Sequence, residues 1–514
     1  MSLPGASEPS TRPGDVLASA VGMTRPHLIG VGGAGMSALA RLLAAGGLDV
    51  RGVDSTETPV TGALRASGIA VEIEPPAKQS GERLAGDRDG VIASAAVGPD
   101  HAQLIEAQRR GLEILSYPEA LGRCMGGRTG VAIAGTHGKS TTSAMLGCAL
   151  ADAGLDPSVI VGATSRQLGA GALAPAGEAT GFRLGGPTCP RGTYDDKPGL
   201  LIAEACEYDR SFHNLRPVVA AIGSVEADHL DIYGTLDEVI ESFAAFARLV
   251  PDADAGGRLL IAHEGAHRIR ITAGLRCAIE TIGFTPSADW RVSFDAPGGR
   301  VSCAHAGRGI DAAWVNAMAG AHNAMNSAVA FALACTLGAD AEVAARSLGA
   351  FAGLDRRLQK LGVRDHVTVY DDYGHHPTEI DATLRAIREA DDPARRGGKL
   401  ILVFQPHQHS RTRHLLEEFA TSFEAADVVV VPHIYFVRDS QAERQKVSAA
   451  DLVDRLRSRG VRAMHLYPFE AIVEQLENTA MPGDTVVVMG AGPVWQVAHQ
   501  YLGLEGGTKT GGVS

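Results

Sequence analysis

Residues 135–140 read Gly-Thr-His-Gly-Lys-Ser, the side-chain order of a phosphate-binding loop. The strict pattern has glycine where Ile133 stands, so the run is a shortened variant. In such a loop the backbone N–H groups of Gly135, Thr136, His137 and Gly138 face an anion. Lys139 then neutralises the terminal phosphates of a nucleotide, and the Ser140 hydroxyl, followed by Thr141, serves a bound Mg²⁺. Two more runs, "LLIAEACEYD" and "VVAAIGSVEADHL", end in acids and a histidine. Glu204 and His229 are the metal-ligand candidates there, with Glu207 and Asp228 in reserve, since carboxylates suit Mg²⁺ and one imidazole is tolerable. Upstream, Gly30, Gly32 and Gly35 satisfy G-x-G-x-x-G, and Asp54 is an acid at the spacing of a dinucleotide site. Any diphosphate-bearing ligand would use the same glycines.

These residues need strand ends and helix starts to hold them. "GVAIA" before Gly135 reads as a buried parallel strand, and "STTSAMLGCALADAG" has helical periodicity ending in glycine. "HLIG", "DVRGVD" and "DGVIASAAV" supply strands around the first glycine loop, with Ser94 at the mouth of the last. The helix "AHNAMNSAVAFALACTLG" carries His322, Asn323 and Asn326 in its first turn. Further on, "VTVYDDYGHHPTEI" is a strand, a polar loop and a helix with Pro377 near its start. The bland reading of His375 and His376 is that one caps that helix and the other is solvated, but the polar cluster at these strand ends again faces a cleft. "KLILVF" and "TVVVM" give two more strands. Short β-runs alternating with helices predict an α/β protein with mainly parallel sheets, whose ligands sit at the C-terminal strand ends.

At 514 residues the chain is long enough for several domains. Its net charge of −12 argues against a general binder of nucleic acid or of membrane surfaces. Seven scattered cysteines without a C-x-x-C pair suggest reduced thiols and a cytoplasmic setting. The sequence shows neither a bilayer-spanning apolar run nor the basic start and apolar core of a signal peptide. Residues 1–25 and 504–514, rich in Gly, Pro, Ser and Thr, are expected to be disordered tails.

The runs "HLIGVGGAGMS", "GTHGKSTTS", "EACEYDRSF", "VEADHLDIYG", "GAHNAMN", "DRRLQ", "DDYGHHPTEI", "QPHQHSRT" and "VMGAGPV" occur in the order found in Mur ligases. The chain resembles that family from about His27 to Leu502, and within it the branch that adds L-alanine to UDP-N-acetylmuramate. The resemblance implies three domains: a Rossmann-like UDP-sugar domain (26–125), a central P-loop ATPase (126–348) and a Rossmann-like closing domain (349–503). It implies that ATP phosphorylates the muramoyl carboxylate and that the alanine amine attacks the acyl phosphate, in a monomer or homodimer making peptidoglycan precursor. By the same resemblance Ser140, Glu204 and His229 hold Mg²⁺, while Asn323, Asn326, Arg357 and Asp372 contact ATP. His375 and Arg411 line the alanine end, with Lys139 and His229 at the phosphoryl group. Gly30, Gly32, Gly33, Gly35, Met36, Ser37, Asp54 and Ser94 would hold the UDP-sugar.

The chain departs from the family at three places. Ser140 replaces the usual threonine and keeps the hydroxyl. Gln408 and His409 stand where the family has Arg-Tyr, removing a charge suited to a carboxylate. Residues 187–198 look like an insertion. The lysine that other Mur ligases carbamylate has no counterpart between His229 and Val250. Three alternatives stay open at this point: a recycling ligase that attaches an intact peptide to the same sugar, a nucleotide-dependent binding switch without ligase chemistry, and an NAD-dependent oxidoreductase using the first glycine loop.

Overall fold

The computed structural model describes residues 13–74, 84, 86–171, 179–437 and 439–504. It contains three sheets, each flanked by helices. The first has five parallel strands in the order Ala70–Ile73, Arg51–Asp54, Pro26–Ile29, Gly90–Ala93, Glu113–Ser116. Strand order reverses between Pro26–Ile29 and Gly90–Ala93, which puts the Gly30 loop and Ser94 side by side at a topological switch point. The contact is close: a Cβ on Gly30 would sit 2.9 Å from Ser94 Cβ.

The central sheet has ten strands. Its middle is Val219–Ile222, Thr129–Ala134 and Leu200–Glu204, all parallel, with Ile133 paired to Glu204 and Ala134 to Ile222. The strand Thr129–Ala134 is buried along its whole length, as a parallel strand covered on both faces must be. The helix Lys139–Asp152 starts directly beyond it and is buried from Ser140 to Leu150, packed against Ala321–Thr336 and Ala341–Gly349. One edge of this sheet, Ser158–Ser165 with Thr180–Arg183, receives the helix Ala34–Ala45 of the first domain.

The third sheet has six strands, with Val367–Asp372, Thr485–Met489 and Leu400–Phe404 adjacent and parallel at its middle. Together the three sheets make a three-domain α/β protein. Among the described residues no helix is long and apolar enough to cross a membrane.

Two expectations need correction. Pro13–Val21 is a helix rather than tail, and Leu17 and Val21 are buried in the first core, because the run supplies apolar residues at helical spacing. Residues 1–12 and 505–514 lie outside the described residues. The Gly/Pro-rich stretch from Arg166 to Gly199 reads in the sequence as one long loop, but Thr180–Arg183 pairs antiparallel to Ser158–Ser165. The segment 187–198 is itself closed, by a bridge between Thr188 and Pro198 and by Cys189 N–H donating to Lys197 O at 2.8 Å. Tyr194 Oη donates to Gly256 O at 2.7 Å and Thr193 N–H to Leu337 O at 3.0 Å, so the segment buckles two central-domain elements together.

Candidate functional site

The P-loop takes its shape from two glycines. Gly135 (φ 137°) turns the chain out of the strand, and Gly138 (φ 78°) turns it into the helix as its N-cap. A Cβ on Gly138 would lie 2.2 Å from Asn326 Oδ1, so the loop packs directly on the asparagine of the neighbouring helix. Thr136 fixes the loop to the segment after the strand Val219–Ile222: its N–H donates to Ser224 O at 2.7 Å, and its hydroxyl accepts from Glu226 N–H at 2.9 Å. Ser140 and Thr141 are buried in the first helical turn. Asn326 donates to Asn323 Oδ1 at 3.3 Å, and Asn323 donates to Ala319 O at 2.9 Å.

Lys139 folds back over its own loop, donating to Gly135 O at 2.7 Å and Thr136 O at 3.0 Å, and it pairs with Glu207 at 2.8 Å. Burial is the largest influence and works against its charge, but Glu207, together with Cys206 and Glu204, more than offsets it, so the pKa is raised and the ammonium stays protonated. Glu207, Asp228 and His229 each present a ligand atom within 4.8 Å of the others. The two acids held in reserve are therefore the ones that meet His229. Glu204, the sequence's first choice, instead accepts from Gly162 N–H at 2.5 Å, on the side of the neighbouring strand Ser158–Ser165. Sequence spacing could not separate Glu204 from Glu207, because one ends the strand Leu200–Glu204 and the other lies just beyond it.

A second domain closes the site. Arg411 donates to Asp228 Oδ1 through Nη2 (2.9 Å) and Nε (3.1 Å), and also faces His229 Nδ1 at 3.3 Å and His407 Nδ1 at 3.4 Å. Burial and then Arg411 pull His229 down to about 3 against the opposing field of Asp228, so its ring is neutral and offers a lone pair. His375 is also neutral, brought to about 4 by burial and Arg411. Its Nδ1 lies 3.1 Å from Tyr373 O, which assigns the proton to Nδ1 and leaves Nε2 as the acceptor. His375 is largely enclosed, so it is neither free in solvent nor the helix cap. His376 is the cap: its Nδ1 accepts from Thr378 N–H at 3.3 Å.

Between the P-loop and that cap, His137 lies 3.2 Å from Glu379 and 3.5 Å from Glu226. Burial opposes its charge, and the two carboxylates overcome it and raise its pKa to about 9. Arg357 stacks over Tyr373 and stands 3.9 Å from Glu379. Asp372 spends both oxygens on backbone, accepting from Leu358 N–H and Gly374 N–H at 2.6 Å each, so it shapes the chain around Arg357. Asp54 behaves alike in the first domain, accepting from Gly32 N–H at 2.8 Å and so stiffening the glycine loop. Gly33 caps the helix Ala34–Ala45, and Met36 and Ser37 are buried in its first turn. Gly35 is pressed by Tyr117, whose ring a Cβ there would meet at 2.7 Å. Sequence reasoning did not find Glu226, Glu379 or Asp439; the acid three places after His376 in a capping box was the available signal for Glu379. Asp439 accepts from His409 N–H and, at 2.6 Å, from Ser410 Oγ, which fixes the start of the short helix carrying Arg411.

Three family models match consecutive parts of the chain. They are described as Mur ligase family, catalytic domain (residues 25–129), Mur ligase middle domain (133–334) and Mur ligase, glutamate ligase domain (356–492). A UDP-N-acetylmuramate–L-alanine ligase of Kineococcus radiotolerans is 37% identical, over 93% of this chain and 96% of that protein. The protein of that name from Thermobifida fusca is 38% identical with the same coverage, 93% and 96%. Among solved structures, the UDP-N-acetylmuramate–alanine ligase of Thermotoga maritima shares the fold at a TM-score of 0.71 and 23% identity, covering 94% of this chain and 98% of that one. By sequence and by fold, the chain belongs to the Mur ligase family.

Proposed function

We propose that this protein is the ATP-dependent ligase that joins L-alanine to the carboxylate of UDP-N-acetylmuramate in peptidoglycan precursor synthesis. The observation that carries the proposal is Lys139 and the Glu207–Asp228–His229 cluster of one domain facing Arg411 and His375 of another. A phosphate cradle is thereby set against the charged and proton-accepting groups that an amide-forming step needs. The amides of Gly135–Ser140 would hold the β- and γ-phosphates of ATP, and Lys139 would leave Glu207 for the more highly charged phosphate. The residues fit Mg²⁺: Ser140, Glu204 and His229, with Glu207 and Asp228 beside them, offer oxygen donors and one neutral imidazole. Mg²⁺ bound there would supply positive charge against the transferring phosphoryl group.

A muramoyl carboxylate oxygen attacks the γ-phosphorus, the bond to ADP breaks, and an acyl phosphate results. Phosphate then becomes the leaving group that a free carboxylate lacks. The alanine nitrogen attacks the acyl carbon, phosphate departs, and His375 Nε2 accepts the proton that nitrogen sheds. Arg411 presents its guanidinium to the same space, while the Gly30–Ser37 loop with Asp54 and Ser94 would take the UDP diphosphate. Asn323, Asn326, Arg357 and Asp372 would line the nucleoside. Hydroxylamine in place of alanine should trap a muramoyl hydroxamate that requires both ATP and UDP-N-acetylmuramate. Parallel reactions with alanine, glycine, serine and an intact tripeptide test the amine, because Gln408 puts no cation beside Arg411. Product formation without hydroxamate would refute the acyl phosphate, and tripeptide preferred over alanine would move the chain to the recycling role.

A further inference from the structure

Where the P-loop meets the helix Pro377–Ala390, one ligand atom each of His137, Glu226 and His376 lies within 4.8 Å of the other two. The three come from separate segments: the P-loop, the loop after Val219–Ile222, and the cap of a C-terminal-domain helix. The two rings are 4.9 Å apart. His376 is 5% exposed. Its Nε2 is buried with no hydrogen-bond partner. Glu226 Oε2 lies 3.5 Å from His137 Nε2, and Thr378 Oγ1 orients that carboxylate by donating to it at 2.6 Å. On the far side of the ring, Glu379 Oε1 stands 3.2 Å from His137 Nδ1. Metal-bound histidines are held this way, with one nitrogen toward the ion and the other N–H toward a carboxylate.

We propose that His137, Glu226 and His376 form a binding site for a borderline divalent transition-metal ion of the Zn²⁺ or Co²⁺ class, apart from the Glu207–Asp228–His229 cluster. Two imidazoles and one carboxylate match that class, whereas Mg²⁺ takes mainly oxygen ligands and tolerates one imidazole at most. The ion displaces the proton that His137 otherwise holds between two carboxylates. His376 moves its own proton from Nε2 to Nδ1, giving up the 3.3 Å contact from Thr378 N–H, and solvent completes the coordination. Because the ligands belong to two domains, the ion staples the C-terminal helix onto the P-loop and opposes the opening that nucleotide exchange needs.

The test is a Co²⁺ titration of chelator-treated full-length protein in millimolar Mg²⁺, followed by visible absorption. One Co²⁺ per chain should develop the absorption of a low-coordinate nitrogen/oxygen site. Glu226→Gln keeps an acceptor for Thr378, and His376→Asn keeps a helix-capping side chain, so both preserve the local fold. Each should weaken Co²⁺ binding by about 10-fold or more, while His229→Ala should leave the absorption in place. Three results would overturn the proposal: no Co²⁺ absorption by the wild type under Mg²⁺, unchanged affinity in both variants, or loss of the absorption only in His229→Ala.

Discussion

Lys139 shows how a residue can be legible in sequence while its resting partner is not. Its place in Gly-Lys-Ser marks it for phosphate, but the pairing with Glu207 depends on a strand crossing that spacing does not encode. If Lys139 stabilises the transferring phosphoryl group, Lys139→Ala should lower kcat by about 100-fold or more with the fold intact. Near-normal turnover in that variant would remove the P-loop assignment. Asp54 and Asp372 were legible as polar strand-end residues, yet both are committed to backbone N–H groups, a use visible only once the loops are placed. A buried histidine offers a second residue-level test. His27 Nε2 lies 2.8 Å from Gln103 Oε1, and burial brings its pKa from 6.5 to about 4. Its folded-state pKa is depressed, so the unfolded chain takes the proton first. Stability is complete above pH 6.5 and should fall by about 3 kcal/mol as pH drops toward 4. The protection factors of the His27, Leu28 and Ile29 amides, with intrinsic exchange at each pH divided out, should therefore drop more on acidification in the wild type than in His27→Gln. Equal pH responses would show that this histidine does not govern acid opening.

Elements with a strong local signature were the legible ones: the buried strand before the P-loop, its helix, and the helix entered at Pro377. The edge strands were not. Trp290–Asp295, Arg300–His305 and Ile310–Val315 mix exposed charges with buried apolar residues, which blurs their alternation even though Pro297-Gly298-Gly299 punctuates the first turn. The helix Pro13–Val21 was hidden by a flank of Pro, Ser and Thr, since composition averages out one buried face. The P-loop itself supplies the element-scale prediction. Gly138→Ala places a side chain at φ 78° and pushes Asn326 off the loop. The strain and the displaced asparagine together should cost about 1–3 kcal/mol. Nucleotide affinity, read by calorimetry, should fall with it, and unchanged binding would mean that the turn adapts.

Across the whole molecule, parallel sheets were foreseeable from the alternation of strands and helices and their division into three from the family resemblance, but the contacts between domains were not, because residues far apart in sequence make them. Arg411 and Asp228 are the decisive pair: their side chains are 6% and 8% exposed, and they belong to different domains. Removing one member of such a pair leaves the other buried and unpaired, which typically costs about 3–5 kcal/mol. A single-domain protein must bear that cost as lost stability. This one has another course, since parting the two domains returns Arg411 to water. Asp228→Asn should therefore expand the molecule, with a larger radius of gyration by X-ray scattering and a C-terminal domain that melts separately in calorimetry. The double variant Asp228→Leu/Arg411→Met replaces the ion pair with apolar contact and should restore the compact form without restoring amide synthesis. If Asp228→Asn instead keeps the wild-type radius and a single, merely lower transition, the domains are held by their remaining contacts and this pair serves chemistry rather than closure.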